Sequence, residues 1–562
     1  MKKAISIGIQ GFSALREQDC FFVDKTNFIK EWWENRDVVT LITRPRRFGK
    51  TLNMSMLECF FSNKYVNRAD LFEGLSIWQE EAYRKLQGSY PVIFLSFAAV
   101  KAGNLEDAKT QIKQEIARLY RENRNLMKED IFGEDERELY YQTTVKMDDV
   151  TAQDSLRNLS EWMERYYGKK VIILLDEYDT PMQEAYVQGY WDEFTAFVRS
   201  LFNASFKTNP YLERAIMTGI TRVSKESIFS DLNNLQVITT TSDLYADCFG
   251  FTESEVFHVL DEFGMGDKKD EVKQWYDGFT FGEHKDIYNP WSITNYLDKR
   301  KTYPYWASTS SNGLVSRLIR TASADVKEKM EDLLNGREIV VSFDEQIVYN
   351  QLDHNENAIW SLLLASGYLK VKHVDYRGIT REPWYTLDIT NIETLSMFTT
   401  MFQDWFQNQD ANYGYFMKAL INGDLEAMNY YMNKVALATF SYFDVGSGNG
   451  SDPEPERFYH GFVLGLIAER TGIYEIRSNR ESGFGRYDIM MIPHEREKYP
   501  AIIIEFKVCS RMKKETLEEA VQSALDQIVD KNYDAELLSQ GIAADRIRHY
   551  GFAFEGKRVL IG

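Results

Sequence analysis

At 562 residues the chain is several times longer than a typical single domain, so two to four domains with separate cores are expected. Its composition of 44% hydrophobic, 27% charged and 14% aromatic residues describes an ordinary globular protein and excludes a disordered or membrane-embedded one. The formal net charge of −19 excludes a protein that coats nucleic acid through bulk electrostatics, but not a nucleic-acid enzyme with a local basic groove and a metal ion.

The N-terminal stretch holds Lys2 and Lys3 but no continuous apolar run, and nothing downstream reaches bilayer length. No export signal and no membrane partner are expected. Cys20, Cys59, Cys248 and Cys509 are isolated, which fits a reducing cytoplasm and argues against structural zinc.

From about Phe21 to Asp243 short apolar runs alternate with amphipathic stretches, the pattern of an α/β domain with a mainly parallel sheet. Strands are expected at 38–42, 91–97, 171–175 and 215–218, and helices at 105–122, 155–167 and 190–202. The first strand runs into Arg44-Pro45-Arg46-Arg47-Phe48-Gly49-Lys50-Thr51 and then a helix. Strand, loop, helix is the order a phosphate-binding loop needs, because the helix start supplies free N–H groups, Lys50 reaches the β/γ-phosphates and Thr51 reaches Mg²⁺. The pattern's first Gly is Arg44 here, so the loop by itself reads equally as a basic turn at a helix start. In the nucleotide-binding reading Arg47, Phe48 and Gly49 complete the cradle, and Arg44, Arg46 or Arg47 adds cationic contacts.

The third strand ends in Asp176-Glu177, about 125 residues further on. Acids at the carboxyl edge of a parallel sheet suit a metal ligand, Asp176, beside a residue that polarises water, Glu177. A buried strand ending in solvated acids is the plainer reading. The two motifs in this order weigh against it. Thr218, at the end of the fourth strand, can sense a γ-phosphate, and Arg222 can stabilise charge on it in cis or on a neighbouring subunit of a homo-oligomer. A capping Thr and a surface Arg are the alternatives.

Phe22-Val23-Asp24-Lys25-Thr26, the loop at 44–51, Leu174 to Pro181, Thr218 to Phe229 and Tyr288-Asn289-Pro290-Trp291-Ser292 together resemble the bacterial predicted AAA-ATPase-like family. In that family an Arg in place of the first Gly is usual. The resemblance implies a P-loop NTPase of the additional-strand class over residues 1–245, binding ATP and Mg²⁺. It also implies a mostly helical lid over 246–300, in which Trp275, Tyr276 and Trp291 can equally be core aromatics.

Residues 301–443 read as a mostly helical spacer or transmission module with one β-like patch, 368–387, around the turn Tyr376-Arg377-Gly378. They hold no chemical motif. The Gly/Ser/Asn/Asp-rich segment 444–454 is the expected linker, and a further domain is expected over 455–562. There a helix at 455–472 carries Glu456 and His460 four residues apart, a strand carries Asp488, and the run 501–508 places Glu505 and Lys507 on one side. Carboxylates that hold Mg²⁺ beside a lysine are what phosphodiester hydrolysis requires, although Glu-x-Lys on a strand is more often a solvated edge.

Glu456, Tyr459-His460, Gly483 to Asp488, Glu505-Phe506-Lys507, and Gln527 followed by Tyr533 resemble the PD-(D/E)xK nuclease superfamily. Its Pro before the first Asp is Tyr487 here. The resemblance implies Asp488 and Glu505 as metal ligands, Lys507 positioning water or stabilising charge, and Glu456 supporting the metal. A helix His facing a core often only satisfies a buried acceptor, so His460 is left open. The expected function is an ATPase coupled to a Mg²⁺-dependent nuclease, with DNA ahead of RNA as the expected substrate. The alternative is a nucleotide-switched scaffold that binds nucleic acid or a protein without cutting.

Overall fold

The computed structural model describes residues 3–128, 131–222, 228–229, 232–309, 313–345, 349, 352, 355–404, 410–443, 465, 472–482, 485–509, 515–555 and 558–562. Two compact units form, each from two pieces of chain: 1–310 with 340–393, and 311–339 with 394–562. The stretch 301–443, expected as one spacer, is therefore divided between them.

The first unit is built on five strands, β1 (Val39–Thr43), β2 (Val92–Ser96), β3 (Val171–Asp176), β4 (Leu212–Gly219) and β5 (Leu235–Ile238), in the order β2-β3-β4-β1-β5. All neighbours are parallel. β1 and β3 are buried along their whole length, which is why they read as unbroken apolar runs. β5 has only one buried residue and gave no such signal. The sheet order sets β4 between β1 and β3, so the ends of all three strands meet at one edge. Helix Asp149–Tyr167 starts six residues before the expected 155, because Asp148 caps it by accepting the Thr151 N–H at 2.7 Å.

Residues 246–300 include a small antiparallel sheet as well as helices, with β6 (Phe251–Thr252), β7 (Phe279–Phe281) and β8 (His284–Tyr288) in the order β6-β8-β7. Val256, Leu260, Val272, Tyr276 and Tyr296 form its core, with Trp275 and Trp291 packed against it. β9 (Ile339–Val341) joins the hairpin of β10 (Leu369–Arg377) and β11 (Glu382–Ile389) in the order β10-β11-β9.

Glu393 is fully buried in this unit, accepting the Ser292 hydroxyl at 2.8 Å and the Trp306 N–H at 2.6 Å. Burial pushes its pKa up to about 7 from 4.5. The folded state thus holds a proton that the unfolded chain releases, so stability is full below about pH 4.5 and falls as pH rises to about 7. The fall is expected to reach about 3 kcal/mol. Calorimetric melting of Glu393→Gln over this range should show a shallower slope than the parent; an unchanged slope would place the effect elsewhere.

The second unit holds β12 (Tyr474–Ser482), β13 (Gly485–Pro493), β14 (Ala501–Val508), β15 (Ile547–Glu555) and β16 (Arg558–Ile561), in that order across one sheet. β14 and β15 are parallel and the other neighbours antiparallel. Helix Leu517–Asp530 packs on β14 and β15 through Ala520, Val521 and Ala524, after a capping box made by Thr516 and Glu519. Residues of the 311–339 piece complete the fold. Glu331, 1% exposed, accepts the Ser478 N–H of β12 at 2.7 Å and the Ser478 hydroxyl, and the Asn335 amide donates to the Ile476 carbonyl at 3.1 Å. The linker 444–454 and most of the helix expected at 455–472, including Glu456, Tyr459 and His460, lie outside the described residues, as do Gly483 and Phe484.

Candidate active sites

Gly49 caps helix Lys50–Phe61 with φ +82°, a conformation that favours glycine and lets the loop turn directly into the helix. The next two side chains reach the strand ends. Lys50 is 3% exposed; its Nζ donates to the Arg44 and Pro45 carbonyls, each at 3.1 Å, and lies 3.7 Å from Glu177. The Thr51 hydroxyl donates to Asp176 at 2.8 Å, and the Thr218 hydroxyl donates to the other carboxylate oxygen. Asp176 thus joins the end of β3 to the start of helix Lys50–Phe61 and the end of β4. Burial and the neighbouring Glu177 charge raise its pKa. Glu177 itself has φ +53°, a left-handed conformation unusual for a side chain of its size, and sits between Lys50 and the Thr180 hydroxyl, 3.3 Å away.

The loop arginines go elsewhere. Arg44 is fully buried, donating to the Thr43 and Thr239 carbonyls at 3.0 and 2.6 Å, with its guanidinium 4.4 Å from the Phe281 ring. Burial pushes its pKa down to about 9, so it is still cationic at neutral pH. The expectation that Arg44 offers a phosphate contact is corrected: it is a structural cation that ties β1 to β5. Arg47 stacks on Trp291 at 4.4 Å, and Phe48 is buried against Phe279 and Phe281. Asn289 caps helix Pro290–Lys299 and donates to the Arg46 carbonyl at 3.2 Å. The segment expected as a lid therefore holds the loop from behind.

Sequence reasoning missed Asp179. It is 3% exposed, and one carboxylate oxygen accepts the Ile220 N–H at 2.9 Å and the Thr221 N–H and hydroxyl, each at 2.7 Å. A Cβ on Gly219 would lie 2.6 Å from the other oxygen. Asp179 fixes the turn between β4 and Arg222 onto the strand end that carries Glu177. Asp179→Ala leaves the Ile220 and Thr221 N–H groups unsatisfied, while the Thr221 hydroxyl keeps the Tyr349 hydroxyl at 3.1 Å, so a loss of about 2–4 kcal/mol in stability is expected, read by chemical denaturation. A change below about 0.5 kcal/mol would contradict this role.

In the second unit, β13 and β14 pair from Met491↔Ile502 to Ile489↔Ile504. At the next position side chains enter the ladder. Asp488 accepts the Phe506 N–H at 2.7 Å, and Glu505 accepts the Asp488 N–H at 3.4 Å. Glu505 is 3% exposed, and its pKa is pushed up to about 8 by burial and by the Asp488 charge. Gln527, on helix Leu517–Asp530, donates its amide to Glu505 and to the Tyr533 hydroxyl and accepts from Lys507, whose Nζ lies 3.8 Å from Glu505. Asp488, Glu505, Lys507, Gln527 and Tyr533 thus form one cluster, with Phe506 packed the other way against Phe552. A buried carboxylate, Glu505, beside a half-buried one, Asp488, is a donor set that fits a divalent cation, whose charge would offset their repulsion and the desolvation of Glu505.

The two regions of the chain that carry these sites match known families. Residues 6–229 match the family model described as Predicted AAA-ATPase, and residues 454–562 match that of the PD-(D/E)XK nuclease superfamily. The chain carries an AAA-ATPase-like domain at its N-terminus and a PD-(D/E)XK nuclease superfamily domain at its C-terminus. It is also similar to an uncharacterized protein in the vnfD 5′ region of Azotobacter chroococcum mcd 1, with 28% identity over 399 residues, 70% of this chain and 68% of that protein. No helix among the described residues is long and apolar enough to cross a membrane.

Proposed function

We propose that the chain is a P-loop ATPase of the additional-strand class coupled to a Mg²⁺-dependent nuclease that hydrolyses phosphodiester bonds, with DNA ahead of RNA as the proposed substrate. The observation that carries the reading is the convergence of Asp488, Glu505 and Lys507 around Gln527.

In this reading Asp488 and Glu505 hold the metal with Glu456, and Gln527 fixes the distance between Glu505 and Lys507. Lys507 places positive charge beside the scissile phosphate. A bound divalent cation would supply Lewis acidity and charge neutralisation there. In the first unit Lys50 exchanges its loop carbonyls for the β/γ-phosphates, and Arg47, Phe48 and Gly49 shape the loop around them. Thr51 and Asp176 hold Mg²⁺, Glu177 orients water, and Thr218 and Arg222 sense the γ-phosphate. The sheet order supports this, since β4, which carries Thr218, lies between β1, which leads into the Lys50 loop, and β3, which carries Asp176. Arg222 acting on a neighbouring subunit would require a homo-oligomer.

The decisive experiment incubates plasmid DNA and a matched RNA with the full chain and Mg²⁺ or Mn²⁺, with and without ATP. Cutting is expected in the parent and lost in Asp488→Ala and Lys507→Ala. The net charge of −19 favours a second reading, a nucleotide-switched scaffold that does not cut. ATP binding without cutting under any metal condition would establish it instead.

A further inference from the structure

The hairpin β10–β11 has a tip that neither active site uses. Its base is anchored by buried Leu369, Tyr385, Leu387 and Ile389. Pairing continues past Val374↔Tyr385 through Asp375↔Trp384 and Tyr376↔Pro383 to Arg377↔Glu382. Yet every residue from Asp375 to Glu382 is exposed. Three further pairs carry an ordered strand end about 10 Å beyond the last buried residue.

The chemistry of that tip is specific. The apex Tyr376-Arg377-Gly378-Ile379-Thr380-Arg381 contains two arginines, with the acids Asp375 and Glu382 flanking it, in a chain whose net charge is −19. The Arg377 guanidinium lies 4.3 Å from the Trp384 ring centre and that of Arg381 lies 5.2 Å from Tyr376. Stacking on ring faces restrains a guanidinium plane without consuming its N–H donors. Of the two flanking acids, Asp375 stands 3.9 Å from Arg377, too far for a hydrogen bond, and is itself 3.0 Å from His373, while Glu382, the register partner of Arg377, accepts the Ser342 hydroxyl at 2.6 Å. Ile379, between the two cations in sequence, is wholly exposed, and Tyr376, beside Arg377, is 61% exposed. A turn asks for glycine and small polar residues, not an isoleucine at its apex.

We propose that this hairpin tip is a contact site for duplex nucleic acid, with Arg377 and Arg381 on backbone phosphates and Ile379 and Tyr376 against the sugar and base edges of the groove between them. Paired cations around an apolar wedge match a minor groove lined by phosphates on both sides. An acidic chain repels a polyanion over most of its surface, so a pair of ring-stacked arginines at the apex of a projecting hairpin is what such a partner would meet favourably. The inference rests on reading the C-terminal domain as one that acts on nucleic acid.

The test is fluorescence anisotropy of the full chain with a labelled duplex of about 30 base pairs, in EDTA so that no metal-dependent cutting occurs, across about 50–300 mM KCl. Arg377→Ala/Arg381→Ala is expected to weaken binding about tenfold or more at low salt and to reduce the log–log salt slope by about 2. The double Lys variant is expected to restore the slope, and Ile379→Ser to weaken binding while leaving the slope alone. A retained melting midpoint shows that each variant is folded, as an exposed tip predicts. Equal affinity and slope in parent and double Ala variant overturn the proposal, as does absence of duplex binding by the parent. Tip-dependent binding to phosphatidylserine vesicles, with duplex binding independent of the tip, overturns it in favour of a membrane surface. Cleavage by the parent in Mg²⁺ is scored separately, so the nuclease reading and the hairpin can each fail alone.

Discussion

Glu505→Gln is expected to slow metal-dependent phosphodiester cleavage by about 100- to 1,000-fold, measured under single-turnover conditions with saturating protein. The substitution keeps the size of the side chain and an oxygen that can accept from Gln527, so the sheet should survive it. What disappears is a carboxyl group that burial and the Asp488 charge hold toward its protonated form and that a bound divalent cation would draw into the charged one. A neutral amide binds a divalent cation far more weakly than a carboxylate. Gln527→Ala should fall between parent and Glu505→Gln, at about 10- to 100-fold, because Gln527 acts on Glu505 and Lys507 without being a metal ligand. Cleavage by Glu505→Gln within threefold of the parent would move the chemistry to other residues.

Lys50→Met should have the second-largest effect, lowering ATP affinity by about 100-fold in an equilibrium titration. It should also destabilise the nucleotide-free protein by about 1–3 kcal/mol, since the ammonium satisfies the Arg44 and Pro45 carbonyls and stands beside Glu177. A variant that loses ATP binding at unchanged stability would show that these carbonyls find other donors. One that keeps ATP binding would remove the loop from the nucleotide site altogether.

Much of this was legible in the sequence wherever the signal is local. The strand–loop–helix around Gly49 and the apolar run ending at Asp176 are contiguous, and strand alternation alone sets Glu505 and Lys507 on one side. Direction and partnership over long separations were not legible. Arg44 occupies a loop position, yet its partner Thr239 is 195 residues away, and only the pairing of β1 with β5 brings them together. Asp179 reads as one more acid after Asp176-Glu177. Its burial depends on Gly219 leaving room for it, a fact of packing between two strand ends. Trp291 looked like core, and it does pack on the core, but its other face holds Arg47. Residues 313–339 had no motif because Glu331 meets Ser478, 147 positions later.

That last separation has a consequence for how the protein is made and how it can be rearranged. Helix Ala324–Leu334 leaves the ribosome well before the strand whose Ser478 it binds, a wait on the order of ten seconds at about 5–20 residues per second. Until then Glu331 is a carboxylate without its native donors, and the second unit cannot close. Genetic exchange of C-terminal domains at the glycine-rich stretch 444–454 would part Glu331 from Ser478 and Asn335 from Ile476. Lineages that trade this nuclease-like domain intact therefore have to carry residues 313–339 along with it.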